Sequence, residues 1–197
     1  FPGERQGMAS WLADSGSGGA AEYLPVDAIV AGYASTREPW QLFQELNGLM
    51  TRENETFAAG LAEANAKLGE GFFDNLTAAM GTEAAFALNG FSVDGPQWVM
   101  AALANDSSVI DASLKRLAEA FNAELSAEEQ QYRIVIGQES AGGRTWTTMK
   151  AAGLPFGVTW TYDQGYLVAA SDRGSAERAI ATRNGGSPLV WSPAFLA

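Results

Sequence analysis

Residues 132–183 read YRIVIGQESAGGRTWTTMKAAGLPFGVTWTYDQGYLVAASDRGSAERAIATR. Four runs in this stretch, Tyr132–Glu139, Arg144–Lys150, Gly157–Tyr162 and Tyr166–Ser171, are rich in β-branched and aromatic residues. Gly142-Gly143, Gly153-Leu154-Pro155 and Asp163-Gln164-Gly165 separate them. Strand-forming runs joined by so few turn residues must fold back on one another, so the spacing predicts successive antiparallel strands. In the third run Val158, Trp160 and Tyr162 fall on one side while Thr159 and Thr161 fall on the other, the alternation of a sheet with one covered face. A helix-like segment then runs to a stop at Asn184-Gly185-Gly186.

Upstream, the cover for that face is legible as a helix. From Asn105 to Leu125 the residues Ile110, Leu114, Leu117, Phe121 and Leu125 form one apolar stripe, with Asp106 or Ser107 placed to cap its start. Glu83–Asn89 and Gln97–Ala104 read as a hairpin around Asp94-Gly95-Pro96. Further back, Val26–Ser35 reads as a buried strand and is followed by a helix starting near Pro39. A second helix starts at the Asn54 cap, and a short third one runs from Phe72 or Asp74 to Met80. The expected architecture is α+β: an antiparallel, meander-containing sheet with helices packed on one face, in two layers. Residues 1–20, with a short helix over Met8–Asp14 and the glycine-serine run after it, are expected to be a flexible lead-in. Residues 21–197 are expected to form a single domain, cut from a longer chain that begins before Phe1 and continues past the apolar tail Trp191–Ala197.

Composition narrows the chemistry. A net charge of −11 and a pI near 4.4 repel phosphate backbones, which argues against nucleic acid as a partner. No apolar run reaches the length of a membrane-spanning helix. The chain has no cysteine and no histidine, so it lacks thiolate nucleophiles, zinc-thiolate ligands, the commonest metal ligand and the usual general base. No catalytic residue, metal site or cofactor is expected.

Individual motifs have structural explanations. Gly16-Ser17-Gly18-Gly19 lacks the Lys-Ser or Lys-Thr of a phosphate loop and reads as a linker. Gly142-Gly143-Arg144-Thr145 sets a cation beside permissive backbone, but a hairpin corner accounts for the glycines. Asp106, Asp111 and Asp163 occupy helix starts or turns, and Asn54, Asn75 and Asn105 stand at or near helix starts, where capping competes with glycosylation. Trp146, Trp160 and Tyr162 are candidates for a ligand-stacking surface, against the commoner role of aromatics in cores.

Several landmarks together resemble a family of bacterial proteins described only as a domain of unknown function. They are Leu24-Pro25-x-Asp27-Ala28, the run Met80–Leu88, Gly142-Gly143-Arg144-Thr145-Trp146, Asp163–Ala170, and Ser192-Pro193-Ala194-Phe195. The resemblance implies an envelope protein exported to the periplasm or cell exterior, and it carries no catalytic residue with it. The resulting expectation is a non-catalytic binding or scaffold module whose partner is a protein or a small apolar ligand. Arg144, Trp146, Trp160 and Tyr162 are its candidate binding residues. The alternatives are a carboxylate-based hydrolase, motivated by the 23 acidic residues, and a purely structural domain of a larger protein.

Overall fold

The computed structural model describes residues 18–36, 38–93 and 95–191. A seven-stranded antiparallel sheet forms its centre. The strands are β1 (Val30–Ser35), β2 (Met80–Ser92), β3 (Gly95–Ala104), β4 (Ile134–Ala141), β5 (Arg144–Ala151), β6 (Gly157–Asp163) and β7 (Tyr166–Ala170). Their spatial order is β1-β2-β3-β7-β6-β5-β4, so the chain builds from both edges and closes at β7 in the interior. The helices are α1 (Pro39–Glu53), α2 (Glu55–Leu68), α3 (Phe72–Ala79), α4 (Ser107–Glu124) and α5 (Arg173–Arg183). The α+β class and the antiparallel meander are as the spacing in residues 132–183 requires.

Alternation along the central strands separates two cores. On β7, Tyr166, Val168 and Ala170 join one cluster while Leu167 and Ala169 join the other. On β3, Val99 and Ala101 go with the first, and Trp98 and Met100 with the second. Ala176, Ala179 and Ile180 of α5 and the 3-10 turn Gly19–Tyr23 cover the first face. Leu76 and Ala79 of α3 and Val109, Ile110 and Leu114 of α4 cover the second, with α1 and α2 stacked outside them. The cover expected on one face is therefore matched by another on the opposite face. The reason is β7: a strand whose residues are all buried presents apolar groups both ways.

Local chemistry explains the element ends. Asp106 caps α4 by accepting from the Ser108 and Val109 amides, Asp172 caps α5 through the Ser175 amide, and Asn54 caps α2 through Phe57. Asn105 donates instead to the Ala78 and Met80 carbonyls, tying the start of β2 to the end of β3, and Asn75 lies inside α3. Gly142 and Gly143 both have positive φ, as the tightest hairpin requires, and Gln164-Gly165 repeat that geometry between β6 and β7. β1 starts at Val30 rather than Val26, because Pro25–Ala28 makes a turn closed by the Ala28 amide on the Pro25 carbonyl.

At the N-terminal boundary, Gly18–Ala20, assigned to the lead-in, belong to the packed structure. Ala20 is fully buried, and the Gly18 and Ala20 amides donate to the buried Glu83 carboxylate. The expected helix over Met8–Asp14 and the tail Ser192–Ala197 lie outside the described residues.

A Cβ at Gly81 would stand 2.5 Å from Leu103 Cγ and 2.6 Å from Leu103 Cδ2. Leu103 is itself packed against the α5-side core, so it has little freedom to yield. Gly81→Ala should destabilise the protein by about 1–3 kcal/mol, and a thermal melt should show Tm falling by roughly 2–4 °C per kcal/mol. An unchanged Tm would mean that β2 and β3 do not approach this closely.

Candidate functional site

The densest array of polar groups lies under the 3-10 turn, where the β6–β7 corner, β2 and α5 converge. Glu83, on β2, is 4% exposed and accepts from the Tyr166 hydroxyl at 3.2 Å as well as from the Gly18 and Ala20 amides. Asp163, 6% exposed, accepts from the Tyr23 hydroxyl at 3.0 Å and from Arg144 Nη2 at 2.6 Å. Arg183 donates to the Tyr23 oxygen at 2.7 Å, pairs with Glu22 at 3.3 Å, and lies over both the Tyr23 and Tyr166 rings. Buried charge is costly unless it is paired and hydrogen-bonded, and here each acid meets either a cation or several donors. Burial pushes the Tyr23 phenol well above its ordinary range. The Arg183 charge and hydrogen bond act against that rise, and Asp163 adds to it.

The array is a network of internal bonds. The buried carboxylates are committed to arginine, tyrosine and backbone donors, and both tyrosines are held in the same bonds. Its effect is to fasten residues 18–24 and the end of α5 to the sheet. Among the described residues no group of three or more acids is arranged to hold a metal ion.

The sequence-derived candidates are dispersed by the fold. Arg144 is the Asp163 partner just described, part of this fastening. Trp146 is 2% exposed on the α5 face, donates its indole N–H to the Ala141 carbonyl, and is covered by Arg173. Trp160 is 3% exposed on the opposite face and donates to Asp111 Oδ1 at 2.9 Å; the Tyr162 hydroxyl donates to the same oxygen at 2.9 Å. Burial, reinforced by Asp111, holds the Tyr162 phenol far above its usual ionisation range. Adjacent strands place neighbouring aromatics on one face only when their registers agree, and Trp160 pairs with Thr147, one residue beyond Trp146. The aromatics therefore serve two cores and form no stacking platform. Asp111 is correspondingly more than a dipole-complementing residue of α4: it is the anchor by which α4 holds β6.

What the sequence reading missed lies at the other end of the sheet. On the face that α3 and α4 cover elsewhere, Val30 pairs with Leu88 and Leu88 with Trp98; Gly32 pairs with Phe86 and Phe86 with Met100. Val30 and Phe86 remain 57% and 44% exposed, Gly32, Ala34 and Ala84 are exposed too, and the Phe86 and Trp98 rings stack at 6.3 Å. None of these residues is charged. β1 pairs with β2 alone, leaving its outer edge without a strand among the described residues. The opposite edge is different: β4 is clasped by Asn122 of α4, which exchanges two hydrogen bonds with Ile134, and its Glu139 is paired to Arg173. Charge and cover are the usual protections of an edge strand, and among the described residues neither protects the outer edge of β1 or its Val30–Gly32–Ala34 side. The signal was present as the uninterrupted apolar run Ala84–Leu88. Reading it required knowing that, among the described residues, no helix buries those rows.

Comparison of the chain with protein-family models, curated proteins and solved structures yields no match.

Tyr23→Phe tests the fastening array. Loss of the hydroxyl's bonds to Asp163 and Arg183 should cost about 1–3 kcal/mol at pH 7. The pH dependence has a definite sign: the phenol's pKa is raised in the folded protein, so its stabilisation is complete below about pH 10 and is lost as pH rises further, because the unfolded chain ionises first. Denaturant titrations at pH 7 and at increasing alkaline pH should show the gap between wild type and Tyr23→Phe narrowing above pH 10. A constant gap would exclude Tyr23 as the linked group.

Proposed function

We propose that this chain is a non-catalytic binding module of the bacterial envelope, and that it receives an extended apolar strand of a partner protein along β1 and the uncovered rows beside it. The observation that carries this reading is the coincidence, among the described residues, of an unpaired, uncharged edge strand with an exposed apolar face on the same strands. A contiguous apolar surface of this kind costs solubility unless something covers it, and an added strand satisfies both the backbone groups of the edge and the side chains of the face. α1, which like α3 touches β2, adds further exposed apolar side chains in Trp40, Leu46 and Leu49.

The engagement of Glu83 and Asp163 by structural donors favours binding over carboxylate-based hydrolysis, since an acid–base pair needs carboxyl groups free to exchange protons with a substrate. The envelope location is supported by the resemblance of the Met80–Leu88, Gly142–Trp146 and Asp163–Ala170 landmarks to exported proteins. Fractionation of cells expressing the full reading frame tests that part separately: recovery in the cytosol would overturn it.

For the binding surface, the informative measurement is hydrogen–deuterium exchange at Val30–Ser35, with the purified chain compared to the full-length protein in its native envelope. The proposal expects slower exchange of β1 in the envelope and loss of that protection in Phe86→Lys, whose side chain is exposed and whose change should leave the fold intact. A photo-cross-linking residue at position 86 should form one protein adduct, and the same residue at the exposed position 115 on α4 should form none. Equal β1 exchange in both settings would refute the surface.

A further inference from the structure

We infer that a cleft on the α5 side of the sheet, separate from the β1 surface, binds a monomeric anionic amphiphile: an apolar chain ended by a carboxylate. The cleft has a volume of about 730 Å³ and lies where the start of β4, the end of β5 and the start of β6 meet the first turn of α5 and the β2–β3 hairpin. That size falls within the roughly 300–1,000 Å³ of small-molecule sites. Its floor is a cross-strand row, Val135 paired with Lys150 and Lys150 with Gly157. By alternation this row shares the face of Trp146, opposite to that of Phe86.

Two features give the cleft a polarity suited to such a ligand. Leu154 and Phe156, from the β5–β6 loop, are 40% and 56% exposed, and with Val135 they form an apolar wall. Lys150 supplies the charge. The other lysines are tied to acids, Lys67 to Glu63 and Glu124 and Lys115 to Glu119, whereas no ion pair holds Lys150 among the described residues. Its direction is set by a neighbour: a Cβ on Gly157 would stand 2.7 Å from Lys150 Cγ and 3.3 Å from Cε. The stem of the exposed Lys150 therefore lies across the glycine, on the side of β6, and covers backbone with methylenes while its ammonium stays in reach of solvent and of the cleft it lines.

Asp172, also in the lining, does not cancel that charge in place. Its oxygens accept from the Ser175 amide and hydroxyl and from the Ser171 hydroxyl; burial works against its ionisation, but these bonds outweigh burial and keep the carboxyl below its usual range. Its negative charge is thus directed at the N-terminus of α5. Lys150 and the Gln97 amide remain as the groups able to meet an anionic head. Lys150 beside an apolar wall suits a single anionic group on an apolar body rather than a polyanion, which the net charge of −11 would repel.

The test uses dodecanoate below its micellar concentration, methyl dodecanoate, and phosphatidylglycerol vesicles, with backbone amide chemical shifts and calorimetry as readouts. Dodecanoate should shift the amides of Lys150, Phe156, Gly157 and Ser171. Lys150→Met, which keeps the stem over Gly157, should weaken binding about tenfold, as should esterification of the ligand. Lys115→Met, with the same change in net charge on the opposite face, should leave affinity unaltered, and Phe156→Ser should weaken it through the apolar wall. The inference is overturned if the shifts map to Val30 and Phe86, if Lys115→Met weakens binding as much as Lys150→Met, or if only vesicles bind. None of these outcomes bears on β1 protection in the envelope, so this site and the β1 surface stand or fall separately.

Discussion

Burial of β7 on both faces is the constraint on which the rest of this structure depends. Tyr166–Ala170 lies at the middle of the sheet between β3 and β6, and its side chains enter two different cores. Antiparallel sheets commonly leave one face to water, but a central strand with apolar groups in both directions cannot. One cover comes from α3 and α4, which are amphipathic and contiguous in sequence with the β2–β3 hairpin. The other is assembled from chain segments far apart in sequence, the 3-10 turn at Gly19–Tyr23 and the last helix, α5.

That second cover is held by apolar contact and by polar attachment together. α5 has 11 residues and meets the sheet through Ala176, Ala179 and Ile180, of which the alanines allow close approach but bury little area each. The polar array of Glu83, Tyr166, Tyr23, Asp163, Arg144 and Arg183 adds directional bonds that fix residues 18–24 against β2 and the β6–β7 corner. Buried arrays of this kind specify one arrangement over others, because any slip leaves a charge without its partner. The same groups would be conspicuous in a search for catalytic residues. In the fold each acid of the array is already engaged by arginine, tyrosine or backbone donors.

The two ends of the sheet are finished differently, and that asymmetry underlies the functional reading. At β4 the edge is clasped by Asn122 and charged at Glu139; at β1 it is open, uncharged and continuous with apolar rows on β2 and β3. A protein can leave such a surface in place when it is a contact surface. The cleft around Lys150 is independent of it in position, on the other side of the sheet and near the other edge.

Turn chemistry and alternation were enough to determine the strands of residues 132–183, the hairpin before them and the α4 stripe, because glycine at positive φ and the periods of two and 3.6 residues are local properties. The same local rules placed the Asn54 and Asp106 caps. They could not show which side each strand would present to which helix, since register decides that and register is a property of pairs: Trp146 and Trp160, alike in sequence, belong to opposite cores for this reason. Nor could they show that Arg144 meets Asp163, that Asp111 receives both Trp160 and Tyr162, or that Lys150 lies across Gly157, contacts made between separate strands or between strand and helix. The sequence by itself determined the elements and the chemistry the chain lacks. Only the tertiary structure decided what was covered, what was left open, and therefore where binding can occur, because exposure depends on how distant segments pack together.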